Sequence, residues 1–278
     1  MITDLTGKAA DALKAKKLWL LDMDGTIYNE NEIFEGTLDF LENIRKEGGR
    51  YIFITNNSSR SVSDYVKKVN AMGIPAGYED FYTSSQATAM YIRENYPGQT
   101  VYCMGTRSLV QELRESGLHV VTDADDSATV VLIGFDTENT SEKIRNTCIM
   151  LGKDVAYLAT NPDLVCPVSF GFIPDCGSMS IMLKNATGKE PFFIGKPQPI
   201  MVDCVLKNTG CAKEDAVIVG DRLYTDIATG ANAGVDTICV LSGEASMDDI
   251  RKWDGEPTWI FQDVKEIDEK LRNFIADP

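Results

Sequence analysis

Leu18-Trp19-Leu20-Leu21-Asp22-Met23-Asp24-Gly25-Thr26 decides the reading of this chain. Four apolar residues in a row, without polar alternation, suit a strand buried on both faces, as in a parallel sheet covered by helices. The run stops at two carboxylates one residue apart. Ligands of open parallel sheets gather at the carboxyl ends of the strands. Two carboxylates held close at such an end repel each other unless a cation joins them. Gly25 permits a turn that brings Asp22 and Asp24 to one crevice. Alone, the same residues also suit an ordinary Asp/Gly turn.

The flanking sequence repeats a strand-helix grammar. Glu35 to Gly48 carries Leu38, Leu41 and Ile44 at helical spacing and stops at Gly48-Gly49. Tyr51 to Ile54 reads as a strand. Ser61 and Asp64 are spaced as a capping pair for a helix with Val62, Tyr65, Val66, Val69 and Met72 on its buried face. Towards the end, Phe192-Phe193-Ile194, Ala216 to Val219, Thr237 to Leu241 and Thr258 to Phe261 read as strands. Met201 to Asn208, Tyr224 to Ala233 and Val264 to Ile275 read as helices. Such alternation predicts an α/β fold with a parallel sheet covered on both faces. The middle alternates too, with strands near 100–104, 128–134 and 155–160 and helices near 85–95, 106–116 and 140–152. One core rarely grows to 278 residues. We therefore expect a first core part over 1–79, a second α/β domain over 80–188, and a second core part over 189–278.

Composition narrows the function. With 27 basic and 42 acidic residues the net charge is −15, which repels nucleic acid and anionic membrane surfaces. A small phosphorylated metabolite is compatible, since one basic group or divalent cation reverses the local field. The 7 cysteines include no C-x-x-C pair, and the single histidine, His119, opens an apolar run. That argues for reduced structural thiols and against zinc or histidine-based catalysis. The first residues lack an apolar signal core, and no run is long enough to span a membrane, so a cytoplasmic location is expected.

Three further polar groups follow strand-like runs. Thr55, in Ile54-Thr55-Asn56-Asn57-Ser58, places a hydroxyl before a helix start, where N–H groups favour an anion. Lys196, in Gly195-Lys196-Pro197, offers a point charge at what reads as the end of a third core strand. Asp221 and Asp226, in Gly220-Asp221-Arg222-Leu223-Tyr224-Thr225-Asp226, follow a fourth. Singly, these stretches suit a helix cap at Ser59 or Ser61, a surface lysine and a second helix cap. Together they form an oxygen-rich set with one cation, suited to Mg²⁺ beside a phosphoryl group.

The quartet Asp-x-Asp-Gly-Thr, strand-end Thr, Gly-Lys-Pro and Gly-Asp-x-x-x-x-Asp resembles the haloacid dehalogenase superfamily. Within it, Ala159-Thr160-Asn161-Pro162-Asp163 and the other motifs resemble the NagD and p-nitrophenylphosphatase-like branch, over about residues 17 to 262. The resemblance implies a Rossmann-like core with an inserted α/β cap domain, and Mg²⁺-dependent hydrolysis of small phosphate monoesters: nucleotide, sugar or glycerol phosphates, and p-nitrophenyl phosphate in vitro. It implies that Asp22 is the nucleophile forming an aspartyl-phosphate, and that Asp24 is the general acid and base. Thr55 and Asn56 would hold phosphoryl oxygens and Lys196 would neutralise charge. The metal would be bound by Asp22, Asp221 and the Asp24 carbonyl, with Asp226 behind them. Asn161 to Gly177 would be the cap's specificity loop, with Asn161, Asp163 and Cys166 as candidate specificity residues. Pro174-Asp175-Cys176-Gly177 departs from the branch, which more often has Pro-Gly-x-Gly there. Some relatives pair through the cap, so a homodimer through the cap is an expectation. A phospho-acceptor regulatory protein and a phosphomutase use similar strand-end groups and are the alternatives.

Overall fold

The computed structural model describes residues 1–168 and 170–275. It divides into two compact units. One comprises Met1–Ile54, Val66–Phe81 and Pro197–Pro278, and the other Thr55–Tyr65 and Tyr82–Lys196.

The first unit is built on a six-stranded sheet in the order Trp259–Phe261, Asp236–Val240, Ala216–Gly220, Leu18–Leu21, Arg50–Thr55, Phe81–Thr83. Leu18–Leu21 is buried throughout and pairs in parallel with strands on both sides. From it the chain runs first to Arg50–Thr55 on one side and later to Ala216–Gly220 on the other. Such a reversal opens a crevice at the strands' carboxyl ends, and Asp22 and Asp221 both lie there.

The helix Thr37–Lys46 buries Thr37, Phe40, Leu41 and Ile44. Leu38, expected on that face, is 42% exposed, and Phe40 takes its place, edge-on to Trp19. The segment read as one helix over 224–233 opens as a π-type turn, Leu223–Ile227, before the α-helix Ala228–Ala233.

The second unit carries a five-stranded sheet in the order Phe192–Phe193, Ala156–Ala159, Ala128–Ile133, Thr100–Met104, His119–Val121. Its side chains alternate between two apolar layers. Tyr102, Met104, Val131 and Ile133 face one, and Val101, Cys103, Val130 and Leu132 face the other. Phe192–Phe193, read from the sequence as a strand of the first sheet, belongs here instead. It pairs in parallel with Leu158 and Ala159, at the sheet edge, where Phe192 stacks on Tyr91. His119 is exposed and shares a 2.9 Å hydrogen bond with Thr100 Oγ1, a structural role.

The segment 161–177, expected as a loop, contains an antiparallel hairpin, Val165–Val168 with Gly171–Pro174. A helix that the sequence reading passed over, Cys176–Thr187, follows it. Asp175 caps this helix with extended backbone, φ −99, so the position needs no glycine. Gly177 does need to be one: a Cβ there would overlap the Pro162 carbonyl.

Candidate active site

Within the first unit, the ladder continues past Leu21 with Asp22 N–H donating to Val219 O at 2.9 Å. The chain then coils at once. Met23 O accepts from Ile27 N at 2.8 Å and Thr26 N at 3.2 Å. Gly25 sits at φ +88, where only glycine is unstrained. This coil separates the two carboxylates of the motif. Asp22 joins Asp221 and Asp226, with one oxygen of each within 4.8 Å of the others. Asp24 turns instead to Tyr28, whose hydroxyl donates to Asp24 Oδ2 at 3.3 Å, and to Lys68, whose Nζ is 3.8 Å from Oδ1. Lys68 also lies 4.0 Å from the centre of the Tyr28 ring. Nothing local marked this lysine, which reads from sequence as the solvated side of an amphipathic helix.

Asp221 and Asp226 are buried. Backbone N–H groups compensate part of that burial: Glu244 N donates to Asp221 Oδ2 at 2.7 Å, and Arg222 N to Asp226 Oδ2 at 3.1 Å. A Cβ at Gly25 or Gly243 would overlap Asp221 Oδ2, and one at Gly220 would overlap the Asp226 side chain. Glycine at these three places lets backbone approach the carboxylates closely. Three clustered carboxylates repel strongly at low dielectric. An all-oxygen donor set of this kind fits a hard divalent cation such as Mg²⁺, and the set offers no thiol or imidazole for a softer metal.

Within the second unit, Thr55 closes its strand and its Oγ1 accepts from Asn57 N at 3.2 Å. Asn56, Asn161, Asp163 and Lys196 are all buried. Asn56 Nδ2 donates to Asp163 Oδ2 at 2.6 Å, and Asn161 Nδ2 to the same oxygen at 2.9 Å and to Asp175 Oδ1 at 3.0 Å. Ser58 Oγ and Thr160 Oγ1 are 2.8 Å apart, and Ser58 Oγ accepts from Phe135 N. Asn161 and Asp163, read as specificity residues, thus spend their side chains on internal bonds. Cys166 is partly buried against the cluster that includes Cys176 and Met179. The expected residues therefore form two sets: Asp22, Asp221 and Asp226 with Asp24 nearby in one unit, and Thr55, Asn56 and Lys196 in the other.

Comparison with known proteins agrees with the geometry. Residues 19–119 match the model of the haloacid dehalogenase-like hydrolases, and residues 193–267 match a HAD-hydrolase-like model. An acid sugar phosphatase of Staphylococcus saprophyticus is 34% identical, over 93% of this chain and 99% of its own. Among solved structures, the 4-nitrophenylphosphatase of Thermotoga maritima has a TM-score of 0.89 at 35% identity, covering 94% of this chain and 99% of its own. A putative nagD protein gives 0.86 at 34%, covering 95% and 100%. The glycerol phosphate phosphatase of Mycobacterium tuberculosis, solved with magnesium, gives 0.88 at 28%, covering 95% of this chain and 79% of its own. The chain belongs to the haloacid dehalogenase superfamily, as a phosphoric monoester hydrolase of the NagD and p-nitrophenylphosphatase-like branch.

Proposed function

We propose that the protein hydrolyses small phosphate monoesters, with sugar, glycerol and nucleotide phosphates as the substrate class, through a phosphoryl group carried on Asp22. The observation that carries this reading is the separation of the motif's two carboxylates. Asp22 lies in the acidic cluster, while Asp24 is held apart by Tyr28 and Lys68. One carboxylate is thereby suited to attack and the other to proton transfer. Asp22, Asp221 and the Asp24 main-chain carbonyl would hold Mg²⁺, with Asp226 behind them. The ion would supply charge neutralisation for the phosphoryl oxygens.

In this reading an Asp22 oxygen attacks phosphorus while the Asp24 carboxyl gives its proton to the departing oxygen. Water, deprotonated by the Asp24 carboxylate, then attacks the aspartyl-phosphate, restoring Asp22 and releasing phosphate. Lys196 balances the negative charge and Thr55 holds a phosphoryl oxygen. That the relatives are named an acid sugar phosphatase, a 4-nitrophenylphosphatase and a glycerol phosphate phosphatase supports the substrate class. Phosphate release from a panel of monoesters, with and without Mg²⁺, tests it. Asp22→Asn should abolish turnover, and full activity in that variant would remove the nucleophile from the scheme. A stable aspartyl-phosphate without turnover would favour a phospho-acceptor instead, and transfer to a second sugar hydroxyl a phosphomutase. Pairing of two copies through the second unit belongs to the same reading. Its hairpin exposes Phe170 at 82% and Phe172 at 67%, and sedimentation tests the pairing.

A further inference from the structure

Asn56 holds the backbone of Lys196 from both sides. Its Oδ1 accepts the Lys196 N–H at 2.8 Å, and its Nδ2 donates to the Lys196 carbonyl at 2.9 Å. Opposed bonds to the N–H and C=O of one residue fix its peptide planes as a neighbouring strand would. The second Nδ2 hydrogen goes to Asp163 Oδ2 at 2.6 Å, a short charge-assisted bond. Asp163 is held in turn by Asn161, and Asn161 by Asp175. Gly195 leaves room for the arrangement, because a Cβ there would lie 2.5 Å from Asn56 Oδ1. Both hydrogens of the Asn56 amide are spent inside the protein, so its side chain has no donor left for a phosphoryl oxygen.

We propose that the Asn56 side chain positions Lys196, braced by Asp163, and that it acts on phosphoryl transfer through the lysine rather than by touching phosphate. The proposal rests on the reading of Lys196 as the charge that balances the phosphoryl group. The physical reason is the lysine itself. Its charge sits on a flexible four-carbon stem, and electrostatic stabilisation falls away when a charge is free to wander from where negative charge develops. Fixing the peptide at the root of the stem removes two backbone torsions from that freedom. The same bonds tie the lysine to both ends of the hairpin segment, through Asp163 before it and Asp175 after it.

A double-mutant cycle on the full chain tests this, with p-nitrophenyl phosphate, saturating Mg²⁺, and kcat and KM read separately. Lys196→Met should lower kcat strongly. Asn56→Ala should lower kcat by roughly tenfold to a hundredfold with little change in KM. In the Lys196→Met background the same Asn56→Ala change should alter kcat less than about twofold, because the group it positions is gone. An equal factor in both backgrounds, or no factor in the parent, overturns the proposal. An undiminished kcat in Lys196→Met alone removes the lysine's role, and the proposal with it. If Asn56→Ala does not fold, as judged by circular dichroism, Asp163→Asn replaces it with the same expected non-additivity. If the Lys196→Met rate is too low for steady-state measurement, single-turnover kinetics with excess enzyme supply it.

Discussion

The Lys68 ammonium stands 3.8 Å from Asp24 Oδ1. With the Tyr28 hydroxyl on the other carboxylate oxygen, it limits Asp24 to few orientations. Aromatic contact on one side of the ammonium and carboxylate on the other keep the lysine in place. If Asp24 protonates the leaving group, loosening it should matter most when that group needs a proton. Lys68→Met is expected to lower turnover of an alkyl phosphate by about tenfold, and of p-nitrophenyl phosphate by less than about threefold, since nitrophenolate departs unprotonated. Steady-state kinetics on both substrates check this. Equal losses would show that Lys68 does not act through Asp24.

Gly243 separates close approach from backbone strain. Unlike Gly25 it is not in the left-handed region, yet a Cβ there would overlap Asp221 Oδ2. Gly243→Ala should displace Asp221 from its bond with Glu244 N. We expect the Mg²⁺ concentration for half-maximal activity to rise by about tenfold or more, in line with other disturbances around metal ligands. A Mg²⁺ titration of activity measures it. An unchanged midpoint in a folded variant would show that the glycine is not required by the proposed metal site.

Glu112 should make the stability depend on pH. Burial pushes its carboxyl up to about 7, from an ordinary value of 4.5, against the opposing bond from Val62 N. Between those values the folded chain keeps a proton that the unfolded chain has lost. Stability from this group is therefore present below the lower value, falls as pH rises towards the upper one, and changes no further above it. At about 1.4 kcal/mol per pKa unit, the loss is on the order of 3 kcal/mol. Glu112→Gln removes the dependence, so its stability relative to the parent should improve between pH 5 and pH 8. Urea unfolding at both values decides it, and a constant difference would contradict the assignment.

Alkylation of the folded protein should divide the cysteines. Burial raises the thiols of Cys103, Cys176 and Cys239 to about 12, leaving them both shielded and protonated. Cys148, Cys166 and Cys211 are only partly buried. Mass spectrometry after brief iodoacetamide treatment at pH 8 should find the first three unmodified until denaturant is added. Rapid native labelling of Cys176 would indicate that the base of its helix opens readily.

What could be read from the sequence was local. Asp22, Asp24, Asp221 and Asp226 stand beside runs such as Leu18–Leu21 and Ala216–Gly220, whose uniform burial announces the strands that aim them. The Ser61–Asp64 capping pair was legible for the same reason, and both its bonds form. Asn56, in contrast, finds Asp163 and Lys196 at separations of 107 and 140 residues, which no periodicity reports. Lys68 lies 44 positions from Asp24 and looks like any solvated helical lysine. Gly177, Ser178 and Ser180 dilute the apolar stripe of Cys176–Thr187, so no helix is legible there. The sequence does not say which sheet Phe192–Phe193 joins, because a short apolar run before Gly-Lys-Pro looks alike in either setting.

The two ends of the hairpin between Val165 and Pro174 are joined at its root, and Cys166 and Ile173 pack against the apolar cluster of the second unit. Asp175 N reaches back to Leu164 O, Gly177 N to Asp163 O, and the side chains of Asn161 and Asp175 meet beneath. Such a joint makes the ribbon an exchangeable cassette. The exposed end of the ribbon can be lengthened, shortened or replaced during divergence or by laboratory grafting, provided the packed Cys166 and Ile173 and the few polar residues at the seam are kept. New exposed surfaces would then be reachable while the polar network beneath, which holds the Lys196 backbone, is left intact.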